Sequence, residues 1–153
     1  DLNFNLSLSA LAGVSRFGCI DSGREIVRNE RAMQSLRVKA PGLESIVGKL
    51  SGGNQQKVVL GKALMTDPKV IFLDEPTRGI DVGAKAELYE IVNQLTGAGK
   101  AVVLVSSELP ELIGMSDRIL MLYEGKLGGE FSRIDASPDA LMAAAIGQRL
   151  SIP

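Results

Sequence analysis

The chain has 153 residues, of which 45% are hydrophobic and 23% charged, so it is long enough to bury the core of one globular domain. Its net charge of −1 gives no electrostatic reason to expect nucleic acid or an anionic membrane surface as a partner. The single cysteine, Cys19, excludes an internal disulfide, the absence of histidine removes the commonest general base, and no apolar run approaches the roughly 18 residues that span a bilayer.

The N-terminal third contains one predicted helix and one ambiguous segment. Apolar and polar residues alternate through residues 1–12, and a period of two suggests a strand. An apolar stripe with intervening charges predicts a helix over residues 24–38. Ser22 is placed to cap this helix, and Glu25 three residues later makes a weak capping box.

The next predicted helix begins within residues 50–58, which read Leu-Ser-Gly-Gly-Asn-Gln-Gln-Lys-Val. Ser51 is a favourable N-cap, and we expect the helix to run to about Met65. Free backbone N–H groups and the positive helix end make such a start an anion site, and glycines let a phosphate approach closely. Taken alone, a serine followed by two glycines is more typical of a capped turn, so the assignment depends on the residues that follow.

A strand that ends in two carboxylates comes next. Residues 70–73 are apolar and predict a buried parallel strand, with Asp74 and Glu75 directly after it. Open α/β sheets bind their ligands at the C-terminal ends of such strands. Because side chains alternate along an extended chain, we expect the two acids to point to opposite faces and to split their roles. In phosphate-handling ATPases one such acid holds Mg²⁺ and the next orients or deprotonates the attacking water.

The remaining sequence predicts a further alternation of helices and strands. Asp81 is placed to cap a helix that reaches Gly97, and residues 101–105 predict a second buried strand, which gives a right-handed β–α–β unit. The later predicted elements are a short helix over 109–115, a hairpin of strands 118–123 and 127–131, a helix capped by Ser137, and a tail from residue 147.

Three of these stretches resemble motifs of the ABC ATPases. Residues 50–56 resemble the signature motif, usually Leu-Ser-Gly-Gly-Gln, here with Asn54 in place of glutamine. Residues 70–75 resemble Walker B with its following catalytic glutamate, and residues 77–81 resemble the D-loop. Together with a later Val-Ser-Ser-Glu, the residues of these motifs are similar to those in the second nucleotide-binding half of bacterial importers for ribose, xylose and galactose. The resemblance extends from about residue 7 to residue 147.

The resemblance implies an α/β fold of the P-loop NTPase type, with a parallel sheet, flanking helices and part of a helical subdomain. Residues 1–49 are then part of the helical subdomain, which makes the N-terminal segment loop and short helix rather than strand. Residues 50–66 form the signature and its helix, residues 67–131 the core with Walker B, D-loop and switch region, and residues 132–153 a C-terminal helix and tail. The Walker A strand is absent, because no Gly-x-x-x-x-Gly-Lys-Ser/Thr occurs in the chain.

In this family, ATP lies between two nucleotide-binding halves that face each other head to tail. The resemblance therefore implies that the signature contacts ATP held by the partner half, through Ser51, Gly52, Gly53 and Asn54. For the ATP of this half it implies Asp74 as the Mg²⁺ ligand, Glu75 as the catalytic residue and Asp81 as part of the D-loop. At the usual switch histidine the chain has Ser107, which lacks the charge and reach of imidazole, so we expect the signature to be the more important contribution.

The implied function is that of an ATP-binding and ATP-hydrolysing subunit that energises monosaccharide uptake, with ATP and Mg²⁺ as cofactors. The implied partners are another ABC nucleotide-binding half, a transmembrane permease and, indirectly, a periplasmic sugar-binding protein, with no nucleic acid. The implied location is peripheral, on the cytoplasmic face of the inner membrane.

We interpret the chain as the C-terminal piece of a longer polypeptide. The isolated piece is expected to be inactive, because the loop that cradles the phosphates is missing. The resemblance places the missing strand between strands 101–105 and 118–123, so each keeps an unpaired edge and homo-oligomerisation or rearrangement is expected.

Two alternatives remain at this level. One is a head piece of a chromosome-maintenance or DNA-repair ATPase, although residues 1–49 lack the long heptad segment that this class carries before the signature. The other is a non-catalytic ABC-type half that only completes the ATP site of its partner.

Overall fold

Residues 1–148 are described by a computed structural model and divide into two units. The first unit comprises residues 1–72 and 76–103, and the second comprises residues 73–75 and 104 onward. Residues 149–153 of the predicted tail lie outside the described residues. The helices of the first unit are α1 Leu2–Ser7, α2 Ser22–Ser35, α3 Gly52–Leu64 and α4 Val82–Gly97. Short 3₁₀ turns at Leu11–Val14 and Val47–Lys49 and a small hairpin, β1 Ser15–Arg16 with β2 Cys19–Ile20, connect them.

The N-terminal segment is helical, so the strand suggested by its alternating pattern is wrong and the short helix expected from the resemblance is confirmed. Asp1 caps α1 by accepting a 2.7 Å hydrogen bond from the backbone N–H of Phe4. Leu2 and Leu6, four positions apart, lie on one face of this helix and are fully buried, and α1 packs on α2 and α3. The other apolar positions, Phe4 and Leu8, are exposed, which is why a period of two was misleading.

Helix α2 confirms the predicted helix but not its predicted cap. Asp21, rather than Ser22, caps it by accepting a 3.0 Å hydrogen bond from the N–H of Arg24. The helix ends at Ser35, earlier than predicted, because Arg37 has a left-handed backbone (φ 52°) that cannot continue the helix.

Strands β3 Val70–Asp74 and β4 Ala101–Val105 pair with each other in a two-stranded sheet. The N–H of Ala101 donates to the carbonyl of Lys69 and the N–H of Glu75 to that of Val105, so the register advances in the same direction and the strands are parallel, as predicted. The prediction of full burial is wrong: Ile71 is buried, whereas 76% of Phe72 is exposed. In residues 1–148 each strand has one strand neighbour, and no layer covers the face that carries Phe72.

The second unit contains α5 Leu109–Met115, β5 Arg118–Tyr123, β6 Lys126–Ser132 and α6 Pro138–Ala145. Strands β5 and β6 form the predicted antiparallel hairpin, and Ser137 caps α6 as predicted, by accepting from the N–H of Ala140 at 3.2 Å. A core of Leu112, Ile119 and Leu141 joins helices α5 and α6 to the hairpin.

Gly61 in α3 is closely surrounded by side chains of other elements. A Cβ on Gly61 would lie 2.6 Å from Cδ1 of Leu36 and 2.9 Å from Cδ2 of Leu6, and both leucines are buried. We expect Gly61→Ala to lower the free energy of unfolding by on the order of 1 kcal/mol, because overpacking outweighs the better helix propensity of alanine. Chemical denaturation measures this change.

Gly97, at the end of α4, is the matched control, since an added Cβ there meets nothing within 4 Å. Gly97→Ala should leave stability unchanged or slightly raised. Equal effects of the two substitutions would contradict the packing described for α3.

Candidate functional site

The start of α3 leaves its backbone donors open. Ser51 occupies the N-cap position with an extended backbone, as predicted, but its side chain makes no capping hydrogen bond. The first N–H groups of a helix have no partner within the helix. The N–H groups of Gly52, Gly53 and Asn54 are thus left uncapped by Ser51, while that of Gln55 donates to the carbonyl of Ser51 at 2.9 Å. Such a group of donors at the positive end of a helix favours an anion.

The side chain of Asn54 joins this helix start to the segment after α2. Its Oδ1 accepts a 2.8 Å hydrogen bond from the backbone N–H of Lys39. Its Nδ2 donates to Oγ of Ser51 over 2.9 Å. The amide therefore holds the serine hydroxyl against a fixed point of the backbone outside α3.

The two signature glycines have different structural surroundings. A Cβ on Gly53 would lie 2.5 Å from Cβ of Ala84, so the close packing of α3 on α4 requires glycine there. A Cβ on Gly52 would make only ordinary contacts, at 3.5 Å from Ile80 and 3.6 Å from the carbonyl of Gly79. Helix packing therefore accounts for glycine at position 53, whereas no packing contact requires glycine at position 52.

A cavity of about 180 Å³ lies beside this helix start. It is bordered by Ser51, Gly53 and Asn54 from the signature and by Asp81, Gly83 and Ala84 from the start of α4, with Lys39, Lys57 and Glu87 completing the wall. Asp81 caps α4, as predicted, by accepting a 2.9 Å hydrogen bond from the N–H of Ala84. The structure thus brings the signature residues and the D-loop aspartate to one cavity.

A buried charge supports the cavity wall. The side chain of Lys57 is only 2% exposed, and its ammonium donates to the carboxylate of Glu87 and, at 2.9 Å, to the carbonyl of Arg37. The ammonium of Lys39 reaches the other oxygen of Glu87 at 3.1 Å. Hydrogen bonds from Lys57 and then from Lys39 lower the pKa of Glu87 from its ordinary 4.5 to about 2. Glu87 is therefore ionised at neutral pH and ties α3 to α4.

Three further predicted residues lie in the second unit. Asp74 ends β3 with an exposed side chain. The backbone of Glu75 is left-handed (φ 46°), so the expected extended course through both acids is wrong. Oε1 of Glu75 accepts a 2.9 Å hydrogen bond from the backbone N–H of Ser107, which places the predicted catalytic and switch positions in contact.

Comparisons with known proteins agree with these motifs. A model of the family described as "ABC transporter" matches residues 14–78. Over 147 residues, 96% of this chain, the sequence is 54% identical to the xylose import ATP-binding protein XylG of Moorella thermoacetica. It is 51% identical over the same length to the protein of that name in Geobacillus kaustophilus. This chain belongs to the ABC transporter family. It spans 29% of the length of these curated relatives.

Solved structures of ABC cassettes share the fold. A structure of MJ1267, an ATP-binding cassette of an ABC transporter, matches with a TM-score of 0.77 and 20% identity over 95% of this chain and 62% of its own. The dimeric bacterial ABC transporter cassette MJ0796 matches with a TM-score of 0.72 and 24% identity over 86% of this chain and 56% of its own. The predicted α/β ABC ATPase fold is confirmed. No helix within residues 1–148 combines the length and apolarity needed to cross a membrane.

The charged cluster of Lys39, Lys57 and Glu87 in this ABC domain was not predicted from the sequence. Lys57 follows Asn54 by three positions and so lies on the same helical face, which is the local signal that was available. Its partner Glu87 is 30 positions further along the chain, and no periodicity predicts that pairing.

The cluster predicts a specific pH dependence of stability. At pH 7, Glu87→Gln in this ABC domain should lower the free energy of unfolding by about 3 kcal/mol, because it leaves the Lys57 ammonium buried without its counter-charge. Since the folded-state pKa of Glu87 is depressed to about 2 from 4.5, its contribution is fully present above pH 4.5 and is lost as the pH falls towards 2. Denaturant titrations of the wild type and of Glu87→Gln should therefore show the difference between their free energies of unfolding shrinking as the pH falls over that range.

Glu90→Gln is the control, because Glu90 pairs with Arg37 where both side chains are more than half exposed. Its effect at pH 7 should be below about 1 kcal/mol. Equal effects at positions 87 and 90, or a difference that grows on acidification, would contradict the description of this cluster.

Proposed function

We propose that this chain is part of the ATP-binding and ATP-hydrolysing subunit of an importer for a monosaccharide, with xylose the best supported sugar. The names and identities of the xylose import relatives support this, at 48–54% identity over 96% of the chain. They also favour a transporter over the chromosome-maintenance or DNA-repair alternative. Because the chain spans 29% of those relatives, activity, sugar and partners are proposed for the longer protein to which such a sequence corresponds.

The observation that carries the proposal is the uncapped start of α3 beside a polar cavity. The hydroxyl of Ser51 and the N–H groups of Gly52, Gly53 and Asn54 are donors without a helical capping partner, and they suit the oxygens of a triphosphate. In the proposed assembly these residues bind ATP held by the opposite nucleotide-binding half. Asp81, at the same cavity, fixes the start of α4 and with it the D-loop.

Asp74 is proposed to hold Mg²⁺ at the ATP of this half. Mg²⁺ keeps several waters and is usually bound through one or two carboxylates together with substrate phosphates. The single exposed carboxylate of Asp74 at the end of β3 fits that demand. No group of three or more His, Cys, Asp or Glu side chains placed to hold a metal occurs in residues 1–148, so the ion would depend on phosphate oxygens for the rest of its coordination.

Glu75 is proposed as the catalytic residue that orients or deprotonates the attacking water, and Ser107 marks the switch position. The N–H of Ser107 holds one oxygen of the Glu75 carboxylate. Ser107 itself does not supply the charge that a histidine imidazole can carry at this position.

The same contact favours a second candidate, a half that completes the ATP site of its partner without hydrolysing ATP itself. One oxygen of the Glu75 carboxylate is engaged by the N–H of Ser107, which leaves that oxygen less available to orient a water. Glu75→Gln in the full-length transporter separates the two candidates: retained turnover favours the non-catalytic half.

The proposed partners are a second ABC nucleotide-binding half, a transmembrane permease and, through it, a periplasmic sugar-binding protein. The proposed location is the cytoplasmic face of the inner membrane. The 153-residue chain contains no Gly-x-x-x-x-Gly-Lys-Ser/Thr, so alone it is proposed not to hydrolyse ATP. In residues 1–148, β4 pairs with β3 and β5 pairs with β6, so each of the four keeps an edge without a strand neighbour and self-association of the isolated chain is proposed.

Ser51→Arg in the full-length transporter tests the proposal. The long cationic side chain removes the hydroxyl donor and fills the cavity next to the open N–H groups, so ATPase activity and sugar uptake should fall at least about tenfold. Both are measured with purified transporter in proteoliposomes.

Ser35→Arg is the matched control, because Ser35 is an exposed serine at the end of α2 whose hydroxyl donates only to the carbonyl of Ala32. It should leave both activities unchanged. Wild-type activity of the Ser51→Arg transporter would overturn the proposal.

A further inference from the structure

The orientation of the Asn54 amide is fixed by its neighbours. The atom that faces the backbone N–H of Lys39, at 2.8 Å, must be the oxygen, because an N–H can only donate. The nitrogen then faces Oγ of Ser51 at 2.9 Å. The usual ambiguity between the two ends of an asparagine side chain is removed by this single backbone donor.

This orientation decides what the Ser51 hydroxyl can do. The amide nitrogen offers only N–H donors, so Oγ of Ser51 accepts the hydrogen bond between them. Ser51 makes no capping bond to the N–H groups of α3 either. Its own proton is therefore not used by Asn54 and remains available to an acceptor at the cavity.

We propose that the side chain of Asn54 is a positioning group, which acts through Ser51 and does not itself bind the nucleotide, whereas the backbone N–H of Asn54 stays among the open donors of α3. By donating to Oγ, it holds the hydroxyl so that the serine proton points outward as a donor to a phosphate oxygen. Preorganised donors of this kind stabilise charge without reorganisation when the ligand arrives. The inference rests on the proposed function and changes the role of the Asn54 side chain from a direct ligand of ATP to the support of Ser51.

The side chain of Asn54 is itself held in place by a chain of further contacts. Lys39, whose N–H holds the amide oxygen, also binds Glu87 through its ammonium at 3.1 Å. Glu87 binds the buried Lys57, one turn along α3 from Asn54. The chain of contacts from Lys57 through Glu87 and Lys39 to Asn54 thus returns to Ser51 at the tip of the same helix.

A double-mutant cycle with Ser51→Ala and Asn54→Asp in the full-length transporter tests the inference. A carboxylate at position 54 can still accept a hydrogen bond from the Lys39 N–H, but it has no N–H to donate to Ser51. The hydroxyl of Ser51 would instead donate its hydrogen bond to this carboxylate and no longer to the phosphate. Asn54→Asp alone should lower kcat/KM for ATP by on the order of 100-fold. In the Ser51→Ala background there is no hydroxyl to form this hydrogen bond, so Asn54→Asp should cause little further loss of kcat/KM.

Gln56→Glu is the charge-matched control, since it adds one negative charge two positions further along α3 at a residue that does not border the cavity. Its effect on kcat/KM gives the electrostatic part of the Asn54→Asp loss, and thermal unfolding midpoints check that all variants fold. Losses at positions 51 and 54 that multiply in the double mutant would overturn the inference, as would an Asn54→Asp effect no larger than that of Gln56→Glu. Ser51→Ala alone with wild-type kinetics would instead overturn the proposed function.

Discussion

The buried ion pair between Lys57 and Glu87 is the interaction on which the candidate site depends. The ammonium of a lysine side chain that is only 2% exposed is stable only if its hydrogen bonds are made inside the protein, and Glu87 and the carbonyl of Arg37 provide them. These partners come from α4 and from the segment after α2. One side chain of α3 therefore fixes the position of its helix against both neighbours, next to the signature.

Close packing acts in the same place. Gly53 brings α3 so near to α4 that a methyl group would collide with Ala84. Asn54 then bonds the helix start to the backbone of Lys39, and Asp81 fixes the first turn of α4. The open N–H groups and the serine hydroxyl thus belong to a rigid tip. A rigid array of donors is what the binding of a phosphate by backbone groups requires, because no donor has to be ordered when the ligand binds.

The sequence was sufficient for the order and type of most elements, and it indicated two of the helix caps by residue. Asp81 and Ser137 were recognisable as caps because short polar side chains before an apolar periodic run bond to the next free N–H. The N-terminal alternation was misleading, since Leu2 and Leu6 satisfy a helical spacing as well as a spacing of two. The exposure of Phe72 was not predictable either, because a run of apolar residues does not reveal how many layers cover it.

Contacts between residues far apart in the chain could not be predicted from the sequence. The bond from Ser107 to Glu75 and the pairing of Lys57 with Glu87 depend on how strands and helices are placed, not on local pattern. The ion pair also forms no recognisable sequence motif. Lysine and glutamate are common surface residues, and the sequence does not show that one of this pair is buried.

We propose that the tip of α3 closes on a nucleotide held by another ABC half. Hydrogen exchange of the backbone N–H groups at residues 52–54, measured in the full-length transporter with and without a non-hydrolysable ATP analogue, tests this most directly. These groups lack a helical partner, so they should exchange rapidly without nucleotide and become strongly protected with it. Exchange at residues 52–54 that stays rapid at saturating nucleotide, while the phosphate loop of the opposite half becomes protected, would contradict the claim.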